Sequence, residues 1–295
     1  MRCRICGSEL NNDPVVAREM MIPTREEFEY FECRGCHCMQ IVSVPENLYD
    51  YYGPGYYSFQ ETEQSDIALN ELHEDIAMRK NTGAEISRIS YNMSPILDVG
   101  CGAGKFLKEL RSIGYANLTG CDPFIDHDLF YGNEIKIFKK TIHEMDGEYD
   151  KIFLNDSFEH VTDPHEVMDS IHRLLAPDGM ARIALPVYPN VAYDMFGADW
   201  YQLDAPRHIF IHSRESMAYL AKQHGFRIVD VTYDSDPSQI FRSYLYSKDI
   251  PFWEQTMRMI IEDLGEAEVN EIAAISQEAN EKGVGDHAVF CLVKA

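Results

Sequence analysis

The amino-acid sequence predicts an α/β protein: a doubly wound sheet of seven strands preceded by a small cysteine-rich module. Three observations carry that expectation. Apolar runs of strand length alternate with helical stripes from Ser94 onward, a glycine-rich turn joins the first of those strands to the first of those helices, and two C-x-x-C pairs stand near the N-terminus.

The strands and helices follow in chain order. PILDVG is a short apolar run, and GKFLKELRSIG sets Phe106, Leu107, Leu110 and Ile113 on one helical face. NLTGCD, IKIF and KIFLND then read as strands, and the helix after Asp163 carries a stripe of Val167, Met168, Ile171, Leu174 and Leu175. ARIALP, a helix from Ser213 to about His224, and FRIVDVTY complete the doubly wound pattern, and HAVFCLV supplies the last strand after a helical insertion near 234–285. Three segments result: a module at 1–44, a tyrosine-rich linker and helical lid at 45–93, and the α/β domain at 94–295. The linker holds LYDYYGPGYYSF, five tyrosines around a Gly-Pro-Gly turn, and a polar helical stretch at 66–89.

Composition bounds the function. Of 295 residues, 45% are hydrophobic, enough for a full core and an appendage. Lys and Arg total 26 against 49 Asp and Glu, a formal charge of -23, so the mean field repels polyanions and argues against nucleic acid as a general partner. No apolar run approaches a membrane span, and MRCRICGSEL is no secretion signal, so the expected location is cytoplasmic. Oligomeric state leaves no mark in the sequence.

Cys3 and Cys6 in CRICG, with Cys33 and Cys36 in CRGCH, form two knuckles of two thiolates each, the tetrahedral set that zinc prefers. His37 and Cys38 stand close enough to substitute at the second knuckle. A closed four-thiolate site has no open position for substrate, so its expected role is structural, and the expected module resembles a zinc ribbon.

ILDVGCGAGKF places Gly100, Gly102 and Gly104 at a strand-to-helix turn, where missing β-carbons let a ligand approach the backbone. A nicotinamide fingerprint would put its third glycine at position 105, which is Lys105. Asp98, just ahead of the loop, can face a cationic ligand group, and Asp122, ending the next strand before Pro123, can accept hydrogen bonds from both hydroxyls of a ribose.

With these blocks in order, the region from Pro95 to Phe226 and the final strand resemble the Rossmann-like class I S-adenosylmethionine-dependent methyltransferases, of the type 11 and type 23 kind. ILDVGCGAG is similar to the family's first motif, GCDP to its ribose-binding acid, FLNDSFEHVTDP to its fourth-strand segment and LLAPDGMARIALP to the entry of its fifth strand. The resemblance implies that Asp98, Gly100, Cys101 and Gly102 meet the methionine end of the cofactor, with Gly104 and Pro123 also in the cofactor-binding set. It assigns Asp122 to the ribose, Ile142 and His143 to the adenine, and Asn155 to the methionine side.

Methyl transfer aligns an acceptor with a sulfonium and, where the acceptor carries a proton, removes it. The candidate bases are His160 in FEHV, Asp156 in NDS and His208 in DAPRHIFIHS, with His208 preferred. Arg207 offers a planar fork for an anionic acceptor. DAPRHIFIHS, the two cysteine knuckles and YDYYGPGYYS resemble zinc-containing sugar C-methyltransferases, which implies a small-molecule acceptor such as a nucleotide sugar or another anionic metabolite. Two competing classes are a zinc-finger ribosomal RNA methyltransferase and a non-catalytic cofactor-binding protein. Against the first, Arg2, Arg4, Arg18, Arg25 and Arg34 are interleaved with Glu19, Glu26, Glu27, Glu29 and Glu32.

Overall fold

The computed structural model describes residues 1–11, 13–22, 24–52 and 93–295. The expected helical stretch at 66–89, the turn at 53–55 and the later tyrosines of the cluster, Tyr56 and Tyr57, lie outside the described residues.

The N-terminal segment folds as three short antiparallel strands, β1 (Val15–Arg18), β2 (Glu27–Glu32) and β3 (Met39–Ile41). Alternation explains β2: Phe28 and Tyr30 turn inward while Glu27 and Glu29 face solvent.

The large sheet begins with β4 (Ile96–Val99), followed by helix α1 (Lys105–Ser112), β5 (Leu118–Cys121), the short β6 (Leu129–Tyr131), β7 (Ile135–Phe138) and β8 (Tyr149–Asn155). Helix α2 (Pro164–Leu174) opens at Asp163, whose Oδ1 accepts from the backbone N–H groups of His165 and Glu166, with Pro164 at the first helical position. Next come β9 (Leu175–Pro186), α3 (Val191–Phe196), β10 (Phe210–Ile211), α4 (Arg214–Gln223) and β11 (Phe226–Tyr233). Helices α5 (Pro237–Ser247), α6 (Met257–Leu264) and α7 (Glu266–Lys282) fill the expected insertion before β12 (His287–Lys294).

The large sheet runs β11-β12-β9-β8-β4-β5-β7-β6. Seven of these are the expected strands; β6 is an added antiparallel edge on β7, three residues long and too short to carry a period. The core β7-β5-β4-β8-β9 is parallel, and β12 lies antiparallel between β9 and β11. From β4 the chain moves out through β5 and β7, then returns to β8 on the other side of β4. That reversal opens a crevice at the carboxyl ends of β4 and β8.

Two expectations shift at element ends. Ile113 lies just past α1 and is exposed, so the buried face of that helix rests on Leu107 and Leu110, with Phe106 against Phe153. Strand β9 starts at Leu175, so the stripe of α2 ends at Leu174.

The pleat divides the core. Ile96 joins Leu107, Leu110, Ile135 and Ile137 on one side of β4, while Leu97 faces the larger apolar cluster. That larger cluster also contains Tyr30, Cys33, Met39 and Ile41 of the N-terminal segment. The strand β10 pairs antiparallel with β3, Phe210 opposite Gln40 and Ile211 opposite Met39, so a strand from the α/β region completes the small sheet. Among the described residues, no helix is long and apolar enough to cross a membrane.

Candidate functional site

Two constellations stand beyond the carboxyl ends of the central strands. The first is the glycine turn. Gly100, Gly102 and Gly104 have φ of 74°, 51° and 79°, a region that residues with a β-carbon rarely adopt. A β-carbon on Gly100 would lie 2.5 Å from Cβ of Ser157, so the close approach of the loop after β8 also requires glycine there. The Gly100 N–H donates to the carbonyl of Cys121, tying the turn to the end of β5.

Two buried carboxylic acids flank this turn. Burial pushes Asp98 up to about 8, with the charge of Asp122 adding and the amide of Asn155 opposing. Asp122 is also raised by burial, against the backbone N–H groups of Gly102 and Phe124, which donate to its two oxygens at 2.9 and 2.8 Å. Asn155, closing β8, accepts from Nη1 of Arg182 at 2.7 Å, and its Nδ2 is buried without a hydrogen bond of good geometry. Acid, glycine turn, acid and amide therefore gather at the carboxyl ends of β4, β5 and β8, with glycine at positions 100 and 104, where a β-carbon would press on Ser157 or Ile137. Cys101 lies within the turn, its thiol toward the carbonyl of Gly102, and burial raises it, so it is a thiol.

Of the two adenine candidates, Ile142 is buried and His143 is exposed, with its Nδ1 2.8 Å from Oγ of Ser170 on helix α2. Pro123 is exposed at the turn after Asp122.

The second constellation gathers after β8. His208 is buried, and its Nδ1 lies 2.8 Å from the carbonyl of Gln202; a carbonyl only accepts, so Nδ1 carries the proton and Nε2 the lone pair. His160 repeats the arrangement, with Nδ1 2.9 Å from the carbonyl of Arg207. Burial lowers both, His160 to about 4, so both rings are neutral near pH 7. Their Nε2 atoms lie 3.9 and 3.8 Å from Oε1 of Glu159, a fully buried carboxyl. Tyr52 edges onto His160 and stacks on Phe124, two residues past Asp122, linking the two constellations.

Asp156 stands at the turn just after β8. It is exposed, holds a left-handed φ of 48°, and pairs with Nε2 of His287 at 2.9 Å, whose Nδ1 meets Asp234 at 2.6 Å. The two carboxylates hold His287 well above its usual range, so it is an imidazolium, and its charge in turn lowers Asp156. Asp156 is therefore an ion-pair partner first.

Arg207 is corrected outright. Its guanidinium has no exposed surface: Nη1 donates to Glu19 at 3.0 Å and to the carbonyl of Tyr51, and Nε donates to Asp204 at 2.9 Å. It is a buried strut between the N-terminal segment and the segment of His208, and no fork remains for an anion. Tyr30 adds a hydrogen bond from its hydroxyl to the carbonyl of His208 at 2.8 Å. The N-terminal segment thus holds the main chain of 204–211 in place through Arg207, Tyr30 and β10.

In that segment the thiols of Cys3, Cys6, Cys33 and Cys36 lie within 4.8 Å of one another, with Sγ pairs at 3.7 Å (Cys3–Cys36) and 3.4 Å (Cys6–Cys33). A tetrahedral zinc with ~2.3 Å bonds requires sulfurs about 3.8 Å apart. Backbone N–H groups of Ile5, Gly35 and Cys36 point at Cys3 or Cys33 sulfur, as thiolates need. His37 turns outward to Glu32, and Cys38 faces the carbonyl of Met39, so neither belongs to the set.

Sequence reasoning missed Glu159, His287 and Asp234. Glu159 had a signal, adjacency to a candidate histidine in FEHV; His287 had none, because its partner Asp156 is distant in the chain.

Comparison with known proteins adds to this geometry. A family model described as a methyltransferase domain matches residues 67–231. The chain is 33% identical over 127 residues to a ubiquinone biosynthesis O-methyltransferase of Rickettsia bellii, covering 40% of this chain and 49% of that protein. With the corresponding protein of Azotobacter vinelandii the figures are 33% over 119 residues, 37% and 50%. The chain spans about half the length of these curated relatives. Among solved structures, magnesium protoporphyrin IX methyltransferase from Synechocystis PCC 6803 with bound S-adenosylhomocysteine is 12% identical with a TM-score of 0.49, covering 84% of this chain and 99% of that one. An N-methyltransferase of Haemonchus contortus is 16% identical with a TM-score of 0.46, covering 75% and 52%.

Proposed function

The chain belongs to the methyltransferase-domain family, and from that premise we propose that it transfers a methyl group from S-adenosylmethionine to a small-molecule acceptor. The observation that carries this reading is the pair of buried acids, Asp98 and Asp122, closing the glycine turn. In this reading Asp98 and Asn155 take the methionine end, Asp98 losing its proton to face the cationic amine, and Asp122 takes the ribose hydroxyls. Bound there, the cofactor supplies an electrophilic methyl group. The chain's own contribution is to seat the turn, exclude water through Tyr52 and Phe124, and accept a proton from the acceptor.

The proton acceptor is His208. Its neutral ring, fixed by the Gln202 carbonyl, presents an unprotonated Nε2. With the cofactor held by Asp98, Asn155 and Asp122, the acceptor hydroxyl would give its proton to Nε2 of His208 as its oxygen takes the methyl group from sulfur. A hydroxylated acceptor is favoured by the partial similarity to ubiquinone biosynthesis O-methyltransferases, and nucleotide sugars remain within the tested class. The four-cysteine set holds a structural zinc in the same proposal, at residues that fit it.

Incubation with methyl-labelled cofactor against hydroxylated small molecules, nucleotide sugars, small carboxylates and total RNA tests the function. The expected result is label in a small molecule and none in RNA. Label in RNA alone, or none in any pool while the cofactor still binds, overturns it. Zinc assay of freshly purified protein tests the metal: about one per chain is expected for a closed four-thiolate site, and a content near zero, unchanged by zinc in the growth medium, removes it.

A further inference from the structure

The second constellation contains more acceptors than donors. Both oxygens of Glu159 are fully buried and have no hydrogen-bond partner among the described residues, and each of His160 and His208 turns its unprotonated Nε2 toward them. These ligand atoms all lie within 4.8 Å of one another, and Oδ2 of Asp204 adds a further oxygen 3.7 Å from Nε2 of His208. In a dry interior these lone pairs are offset either by a proton kept on the Glu159 carboxyl, which burial pushes well above its usual range, or by a cation standing among them.

The geometry points to a divalent transition-metal site formed by Glu159, His160 and His208, separate from the four cysteines. Two imidazoles and one carboxylate form the ligand set that suits Zn2+, Fe2+ or Co2+ with positions left open. The outer shell is of the right kind. A metal-bound histidine donates its other ring N–H to a carbonyl or carboxylate, and here Nδ1 of each ring is held by a backbone carbonyl, Gln202 for His208 and Arg207 for His160. A cation with ~2.1 Å bonds requires donors about 3 to 3.5 Å apart, so separations of 3.8 and 3.9 Å close with small side-chain rotations. Access comes along the His160 side chain, which keeps 17% of its surface exposed. Left-handed backbone at Asp156 and Asp204, the residues leading into the two ligand-bearing turns, marks strain kept at a functional place.

This inference does not rest on methyl transfer. It does bear on it: Nε2 of His208 would hold either the cation or the acceptor's proton, so base catalysis by His208 belongs to the cation-free site.

The test uses the full chain carrying one zinc per four-cysteine set, titrated with Co2+ and followed by calorimetry and visible absorption. One added equivalent with ligand-field bands and no thiolate charge-transfer band is expected. Glu159→Gln is the informative variant, because a neutral amide can donate to the histidine Nε2 atoms. It should raise thermal stability while weakening Co2+ by about a hundredfold. His208→Gln should weaken it comparably, and His37→Gln, on the exposed face of the cysteine module, should leave it unchanged. If the unaltered protein takes up no added Co2+, or takes it up only with a thiolate charge-transfer band, the site does not exist. Co2+ binding that Glu159→Gln leaves intact places the cation elsewhere and equally overturns it.

Discussion

The two constellations at the carboxyl end of the sheet are built in opposite ways. The glycine crevice draws on Asp98, the turn and Asp122, all within one strand–helix–strand unit, with Asn155 alone added from β8. The cluster around Glu159 and His208 needs Glu19, Tyr30, Tyr52, Glu159, His160 and the 204–208 segment, brought together by the N-terminal segment, β3–β10 pairing and the Arg207 strut. The first is a local structure whose cost is repaid by a ligand; the second is a packed structure whose integrity is part of the fold. Perturbing the first should change binding and spare stability, and perturbing the second should do the reverse.

The largest expected effect follows from Arg207→Ala. It leaves Glu19 and Asp204 buried without their cation, which costs about 3–5 kcal/mol. Chemical denaturation should show that loss while cofactor affinity of the folded protein stays near the parent value. A raised KM for an anionic acceptor at unchanged stability would restore the anion-fork reading and erase the contrast. Asp98→Ala comes next. It should weaken S-adenosylmethionine binding by about 2–3 kcal/mol, on the order of a hundredfold, without lowering the unfolding midpoint.

Gly100→Ala should cost about 2 kcal/mol of stability, since it combines left-handed backbone with a β-carbon pressed on Ser157. Here the turn touches the fold through Ser157, and an effect confined to binding would show that the loop yields freely.

The smallest effect is a pH slope. Asp98 sits at about 8 in the free chain, against an ordinary value near 4. The folded chain then holds more protons than the unfolded chain across that window, so this group's contribution to stability declines as pH rises toward 8. Cofactor binding needs the ionised carboxylate, so affinity should rise with pH by at most about tenfold per unit below 8 and then level off. Calorimetry at pH 7 in buffers of different ionisation enthalpy should report release of about one proton per chain, lost in Asp98→Asn.

The same contrast explains how much was legible in the sequence. The glycine turn, Asp98 and Asp122 could be read because strand period, positive-φ glycines and an acid at the next strand end are short-range signals, and the alternation of runs gave the seven-stranded order its pieces. The partner of His143 could not be read, because Ser170 stands on another element. Arg207 was misread for a deeper reason: a guanidinium beside a candidate base has the same local sequence whether it faces an acceptor or a buried Glu19 far away in the chain. The acceptor surplus around Glu159 is visible only once three dimensions show which donors are missing.

The cofactor site at the ends of β4 and β5 is tested most directly by calorimetric titration of S-adenosylmethionine into the unaltered chain and into the Asp98→Ala, Asp122→Ala double variant. One site per chain, abolished in the double variant while the fold persists, is the predicted result. Failure of the unaltered chain to bind, or equal binding by the double variant, would contradict it.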